Sequence, residues 1–252
     1  MKTKRRTEDR PSAKARRRGG RIAAKLVVTI VITIVIMVAV LLTLVYRRVS
    51  DALLDKSENL IQETTGKVIQ ETNAWMNKTL TMLEMQKDTI EYEEMDIPEM
   101  EEYIKHTVDQ NSAYPAGLYV ALTDGSLYHA SFVPGPDFNA LEKSWYQDGI
   151  ASEEFILGDV YFDEDSQSYV VGASGRLKGE DGETRGVAAA DVYLDAISDI
   201  VAEIQLEETG GVFLVDTRTD TIIGHKDPEI TGRLLSEFSG DLYAYAAEQI
   251  QK

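Results

Sequence analysis

The sequence predicts an α+β protein: one N-terminal membrane helix, a long polar helix continuing from it, then an antiparallel-sheet module. Three observations predict it. An uncharged apolar run, Leu26–Tyr46, follows a strongly basic tail. Helical periodicity then persists to about residue 91 with neither Pro nor Gly except Gly66. From Tyr114 onward, β-branched and aromatic segments separated by turn dipeptides replace that periodicity.

The charge is divided unevenly. Residues 1–25 hold eleven Lys and Arg against Glu8 and Asp9, so the tail's +9 within a total of −17 leaves −26 for residues 26–252. Such asymmetry places the two parts in different environments. Between them the 21 residues Leu26–Tyr46 carry no charge. At about 1.5 Å per residue they span roughly 30 Å, the thickness of a bilayer's hydrocarbon core. Its β-branched composition makes a poor helix in water, but in lipid a single segment can satisfy its backbone only as a helix. The basic flank puts the N-terminus in the cytoplasm and residues 47–252 outside, with only Arg47 and Arg48 opposing it. A cleaved signal peptide would have a shorter apolar region and a small-residue cleavage site. A nucleic-acid arm is disfavoured too, because the basic run abuts a span and reads as a topology signal and lipid contact. No nucleic-acid partner is therefore expected.

After the span, apolar pairs at Leu53/Leu54, Leu60/Ile61, Val68/Ile69, Trp75/Met76 and Met82/Leu83 recur every seven or eight residues. That spacing gives one apolar stripe. It fits a stalk that pairs with a second copy in a parallel homodimer. It fits equally a helix packed on its own domain. Asp96-Ile97-Pro98 is expected to end this helix, and a shorter one to run Glu99–Asp109.

The strand region follows in order. Leu118–Leu122 and Leu127–Phe132 flank Asp124-Gly125, a hairpin turn signal. Val133-Pro134-Gly135-Pro136-Asp137 is a loop, and Leu141–Ile150 a short helix. Phe155–Val160, Tyr169–Leu177 and Thr184–Leu194 form a three-stranded meander. A helix over Asp195–Gln205 follows, with Ile197, Ile200, Val201 and Ile204 on one face. After Gly210-Gly211 the pattern restarts with Val212–Val215 and Thr221–His225. Two strands, a loop with a small helix, then three strands is a PAS-like arrangement, and the restart is the opening of a second, incomplete module.

Chemistry concentrates in residues 138–191. Phe138, Lys143, Trp145, Tyr146, Tyr161, Asp163 and Asp191 would be an unusual set for a plain core. Asp191 ends an apolar run, Val187-Ala188-Ala189-Ala190, where an ionised carboxylate is costly unless a cation meets it. Tyr161 and Asp163, two apart, share a face if they lie on a strand. Aromatic walls with carboxylates make a box for an ammonium group through cation–π and charge-assisted contacts. The plainer alternative is that Asp191 is capped by backbone amides and Trp145 is core.

These residues carry a resemblance. Lys143-Ser144-Trp145-Tyr146, Gly158-Asp159-Val160-Tyr161-Phe162-Asp163 and Gly186-Val187-Ala188-Ala189-Ala190-Asp191 resemble the double Cache sensory domain. That domain lies outside the membrane in bacterial chemoreceptors (methyl-accepting chemotaxis proteins), sensor kinases and diguanylate cyclases. The likeness extends over about residues 26–235. Amino-acid-binding members carry Arg-x-Trp-Tyr, Tyr-x-Asp and a strand-borne Asp, with a Tyr five residues before the Arg. The resemblance implies that Trp145 and residue 143 hold the ligand's carboxylate end, that Tyr146, Asp163 and Asp191 receive its ammonium, and that Tyr161 lines the pocket. This chain has Lys143 in place of the Arg and Phe138 in place of the Tyr. Lys cannot make Arg's bidentate fork, and Phe has no hydroxyl, so an amine or another small polar metabolite fits as well as an α-amino acid.

The expected organisation is a cytoplasmic tail (1–25), a transmembrane helix (26–46), stalk and second helix (47–110), a membrane-distal PAS-like module (111–206) and the beginning of a membrane-proximal one (207–252). The resemblance implies a ligand-sensing transmembrane receptor in the cell membrane, with a small ammonium-bearing ligand as its partner. The alternative is a membrane-anchored binding or adhesion module without signalling output. No enzyme, metal or cofactor is expected. His106, His129 and His225 lack metal-ligand spacing, and Asp163-Glu164-Asp165-Ser166-Gln167 lacks the Gly and terminal Glu of a calcium loop. Gly172-Ala173-Ser174-Gly175 is one residue short of a nucleophile elbow.

Overall fold

The computed structural model describes residues 13–163, 166–204 and 210–250. They fall into two compact units divided between Ile61 and Gln62. The first belongs to α1 (Ala13–Tyr92), which holds, among the described residues, the one helix long and apolar enough to cross a membrane. Its apolar side chains from Leu26 to Val45 are all exposed. The threonine hydroxyls there donate to carbonyls four residues back, Thr29 to Lys25 and Thr33 to Thr29 at 2.9 Å and Thr43 to Ala39 at 2.8 Å. Each is thereby satisfied within the helix, as lipid requires.

In the second unit, α1 buries Val68, Thr72, Thr79, Leu83, Lys87 and Ile90, a stripe at helical spacing. Leu83 and Ile90 join a core with Met100, Ile104, Val120, Ala188 and Val192. The expected stripe thus divides. Trp75 and Leu83 pack in the unit's own core and Val68 is buried, whereas Leu53, Leu54, Leu60, Ile61 and Ile69 are exposed.

The helix boundary near Pro98 is corrected. α1 ends at Tyr92, and Pro98 lies in the first turn of α2 (Ile97–Thr107), where its missing N–H costs nothing. Asp96 caps α2 in a reciprocal box: its Oδ1 accepts from the Glu99 N–H at 3.0 Å, and Glu99 Oε2 accepts from the Asp96 N–H at 3.2 Å.

The sheet has five antiparallel strands: β1 (Tyr119–Leu122), β2 (Leu127–Tyr128), β3 (Ile156–Asp163), β4 (Ser168–Lys178) and β5 (Thr184–Tyr193). They lie in the order β2-β1-β5-β4-β3. Before β3 come a 3₁₀ turn (Ala140–Glu142) and α3 (Ser144–Ala151). The expected Leu127–Phe132 strand shortens to two residues, because the chain turns at His129, whose Nδ1 accepts the N–H groups of Ser131 and Phe132. The meander appears as expected. Helix α4 (Asp195–Ala202) ends before the expected Gln205, which lies outside the described residues.

Both faces of the sheet are covered. Even-numbered Ala188, Ala190 and Val192 join the core of α1 and α2, while Val187 and Ala189 join Trp145 and Tyr146 of α3. A separate ribbon, β6 (Phe213–Asp216) with β7 (Thr221–His225), contributes Leu214 and Ile223 to a third cluster around Val171, Leu194 and Ile197. A 3₁₀ turn (Leu235–Glu237) and α5 (Asp241–Ile250) follow. The module boundary expected at 206/207 lies outside the described residues.

Candidate functional site

Strand register brings the site together. Tyr161 pairs with Val170, Gly172 with Asp191, and Tyr119 with Ala189. Because side chains alternate along a strand, these pairings put Tyr161, Gly172, Asp191 and Tyr119 on one sheet face. An extra residue in β3 shifts the register between Leu157 and Val160. Such a bulge turns the strand locally, and Asp159 within it and Tyr161 and Asp163 beyond it all line a cavity. Gly172 keeps the floor clear. A Cβ there would sit 3.3 Å from Trp145 Cβ and 3.5 Å from a Tyr161 ring carbon.

Trp145 reaches the same face from α3. That helix is fixed at its start by Gln147 Nε2 donating to Leu141 O at 2.6 Å, and near its end by Arg176 Nε donating to Ile150 O at 2.9 Å. The Trp145 ring meets Tyr119 edge-on, with centroids 5.1 Å apart. From the loop after β2 come His129, Phe132 and Phe138, joined ring to ring at 5.9 and 5.3 Å. Lys143 Nζ stands over the Phe138 ring, 4.9 Å from its centroid.

The cavity measures about 1060 Å³. Six of the seven residues singled out in the sequence line it: Phe138, Lys143, Trp145, Tyr161, Asp163 and Asp191. The seventh, Tyr146, is not among the lining residues. It is 5% exposed and packs in the apolar cluster with Tyr119, Trp145 and Ala189.

Asp191 is the electrostatic centre. Its Oδ1 accepts from the Tyr119 hydroxyl at 2.9 Å and from the Tyr161 hydroxyl. Among the described residues, two tyrosines meet it rather than backbone amides or a cation. Among the described residues no hydrogen bond reaches its Oδ2. Burial pushes the Asp191 carboxyl upward, and the charge of Asp163 adds to this, while the two hydroxyls hold it back. Burial first, and then the Asp191 charge, drive both phenols well above the ordinary tyrosine value, so they stay neutral donors. Of the titratable lining residues three are carboxylic acids, Asp159, Asp163 and Asp191, against Lys143 and His129.

The profile of the Cache domain family matches residues 47–251. The chain belongs to the Cache domain family. No curated protein sequence matches it. Among solved structures, this Cache domain is similar in fold to the ligand-binding domain of the Pseudomonas aeruginosa amino-acid chemoreceptor PctC, in complex with GABA. That match has 18% identity, covers 71% of this chain and 79% of that one, and has a TM-score of 0.61. It is similar also to the ligand-binding domain of the Pseudomonas fluorescens chemoreceptor CtaA in complex with L-leucine, at 18% identity, 74% and 78% coverage and TM-score 0.61. The PctB domain of P. aeruginosa, in complex with L-Arg, matches at 18% identity, 71% and 69% coverage and TM-score 0.59.

Sequence reasoning missed Tyr119, His129 and Phe132 of this Cache domain. Tyr119 sits in a strand rich in apolar residues, where an aromatic reads as core. Its partner Asp191 lies 72 residues away, so only the pairing of β1 with β5 reveals the contact.

Proposed function

We propose that the chain is the extracytoplasmic ligand-sensing part of a transmembrane receptor, and that its ligand presents an ammonium group to Asp191. The observation carrying this reading is the Asp191 carboxylate, held through one oxygen by two neutral phenols in a cavity lined by Trp145, Tyr161 and Asp163. An ammonium ion supplies the charge and donors that such a carboxylate lacks. Asp163 is the second acceptor, and Trp145 with Tyr161 gives the cation aromatic faces. Tyr146, buried behind Trp145 at 6.0 Å between rings, supports that wall. Lys143 and Phe138 also line the cavity, where Lys143 offers a point charge to a ligand carboxylate. The solved relatives support the reading, since GABA, L-leucine and L-Arg all bear an amine.

In this reading residues 1–25 are cytoplasmic, 26–46 span the membrane, 47–110 lead to the distal module at 111–206, and 207–252 begin a proximal one. The exposed Leu53, Leu54, Leu60 and Ile61 supply a seam for a parallel homodimer. Ligand shifts the output only by its difference in affinity between two states of the receptor.

The test is a thermal-shift screen of the full chain in detergent against amino acids, amines and small carboxylates. A ligand at roughly 100 times its dissociation constant adds about 2.7 kcal/mol. Hits among amines or amino acids, lost in Asp191→Ala, are expected. Hits confined to carboxylates without an amine, unaffected by that substitution, would refute the assignment.

A further inference from the structure

His129 lines the cavity, and the reading above gives it no part. The backbone N–H groups of Ser131 and Phe132 both donate to His129 Nδ1, at 3.2 and 3.0 Å. A backbone N–H can only donate, so Nδ1 must be the lone-pair nitrogen of a neutral ring. A protonated imidazole has hydrogens on both nitrogens and can hold neither bond. The same ring stacks on Tyr119, with centroids 5.1 Å apart and planes 28° from parallel. At its edge it meets Phe132, which in turn meets Phe138. One imidazole therefore joins the loop wall of the cavity to the tyrosine that donates to Asp191.

We propose that His129 is a positioning residue of the binding site: neutral, it folds the loop of Phe132 and Phe138 over the cavity and backs Tyr119, and its protonation releases that wall. The site is then assembled at neutral pH and loosened in mild acid, which makes binding itself pH-sensitive. That consequence rests on the binding reading; the latch does not. Among the described residues, the titratable groups sharing the cavity wall with His129 come from β1, α3, β3 and β5. They are Tyr119 on β1, Lys143 at the head of α3, Asp159, Tyr161 and Asp163 on β3, and Asp191 and Tyr193 on β5. The two phenols bonded to Asp191 stay neutral. The carboxylic acids Asp159, Asp163 and Asp191 are therefore the competing sources of an acid-driven change, Asp191 being the one bonded to Tyr119.

Amide hydrogen exchange of the full chain in nanodiscs, resolved at Ser131 and Phe132 and divided by the intrinsic rate at each pH, tests this without a ligand. A failed ligand screen would leave this readout intact. From about pH 8 to 5, the range in which histidine titrates, protection of these two amides should fall roughly tenfold, as expected for losing their bonds. In His129→Asn the side-chain oxygen can accept from the following N–H groups as an Asx turn does, and it does not titrate. Protection there should persist and become flat with pH. His129→Phe keeps an aromatic ring against Tyr119 but has no acceptor, so protection should be low throughout. A flat profile in the unsubstituted chain overturns the proposal. So does an unchanged acid loss in His129→Asn, which would assign the titration to a carboxylic acid of the cavity wall.

Discussion

Asp191→Asn isolates the charge at the centre of the site. Asparagine keeps the volume and the Oδ1 that accepts from Tyr119 and Tyr161, so the tyrosines need not move. What disappears is the negative charge offered to a ligand's ammonium. Removing one partner of a desolvated charge pair costs about 2–5 kcal/mol, a loss of roughly thirtyfold to several thousandfold in affinity. Stability should move the other way. The Asp191 carboxyl is raised by burial, so the folded state holds its proton more tightly than the unfolded chain does. Stability is therefore lost as pH rises from the ordinary carboxylate value through the raised one, and the penalty remains at neutral pH. The asparagine variant escapes that penalty, so its melting temperature at pH 7 should equal or exceed the parent's. Isothermal titration of the full chain in nanodiscs with a hit from the ligand screen, alongside melting curves at pH 7 and pH 4, checks both parts. Affinity within threefold of the parent, or a lower melting temperature at pH 7, would refute the reasoning.

Three further outcomes follow from named contacts. Tyr119→Phe removes one of the two donors to Asp191; affinity for an ammonium ligand should drop roughly tenfold, the scale of one hydrogen bond to a charged group, with little change in melting. Unchanged affinity by titration calorimetry would count against Tyr119. Gly186→Ala sets a Cβ 2.2 Å from the Ala121 carbonyl oxygen and 2.9 Å from Leu122 Cα, where β5 pairs with β1. Since backbone must shift, we expect a loss of about 3 kcal/mol or more, or roughly 6–12 °C in melting temperature. Lys87→Met removes a buried ammonium bonded to Glu84 at 2.5 Å and to the Glu153 carbonyl at 2.6 Å. With Glu84 partly exposed, the cost should be about 2 kcal/mol. Denaturant unfolding should show Glu84→Gln recovering part of it, and strictly additive effects would deny the coupling.

The sequence by itself determined whatever depends on local pattern. The uncharged run Leu26–Tyr46 announces a membrane-length helix because no other short-range arrangement satisfies a backbone in lipid. Asp124-Gly125 places the first hairpin turn, and the alternating runs after Phe155 place the meander, since period and turn chemistry are properties of neighbours. Asp191 stood out because an acid beside four apolar residues is unusual wherever it lies. Local pattern failed where two local rules compete. Pro98 could stop one helix or start the next, and the Asp96–Glu99 box decides for the start. The Leu127–Phe132 run has strand composition, but the bonds to His129 bend it away from β1.

Only the tertiary structure decided who meets whom. Register across β1, β5, β4 and β3 brings Tyr119, Asp191 and Tyr161 to one face, although the two tyrosines lie 72 and 30 residues from the aspartate. It also sets Trp145 in the cavity wall and its neighbour Tyr146 in the core behind, since adjacent residues on a helix point different ways. The physical reason is that a buried charge is stabilised by partners within a few ångströms in space, and separation along the chain does not enter that energy. Sequence can therefore flag the carboxylate that needs a partner, while the fold supplies the partner.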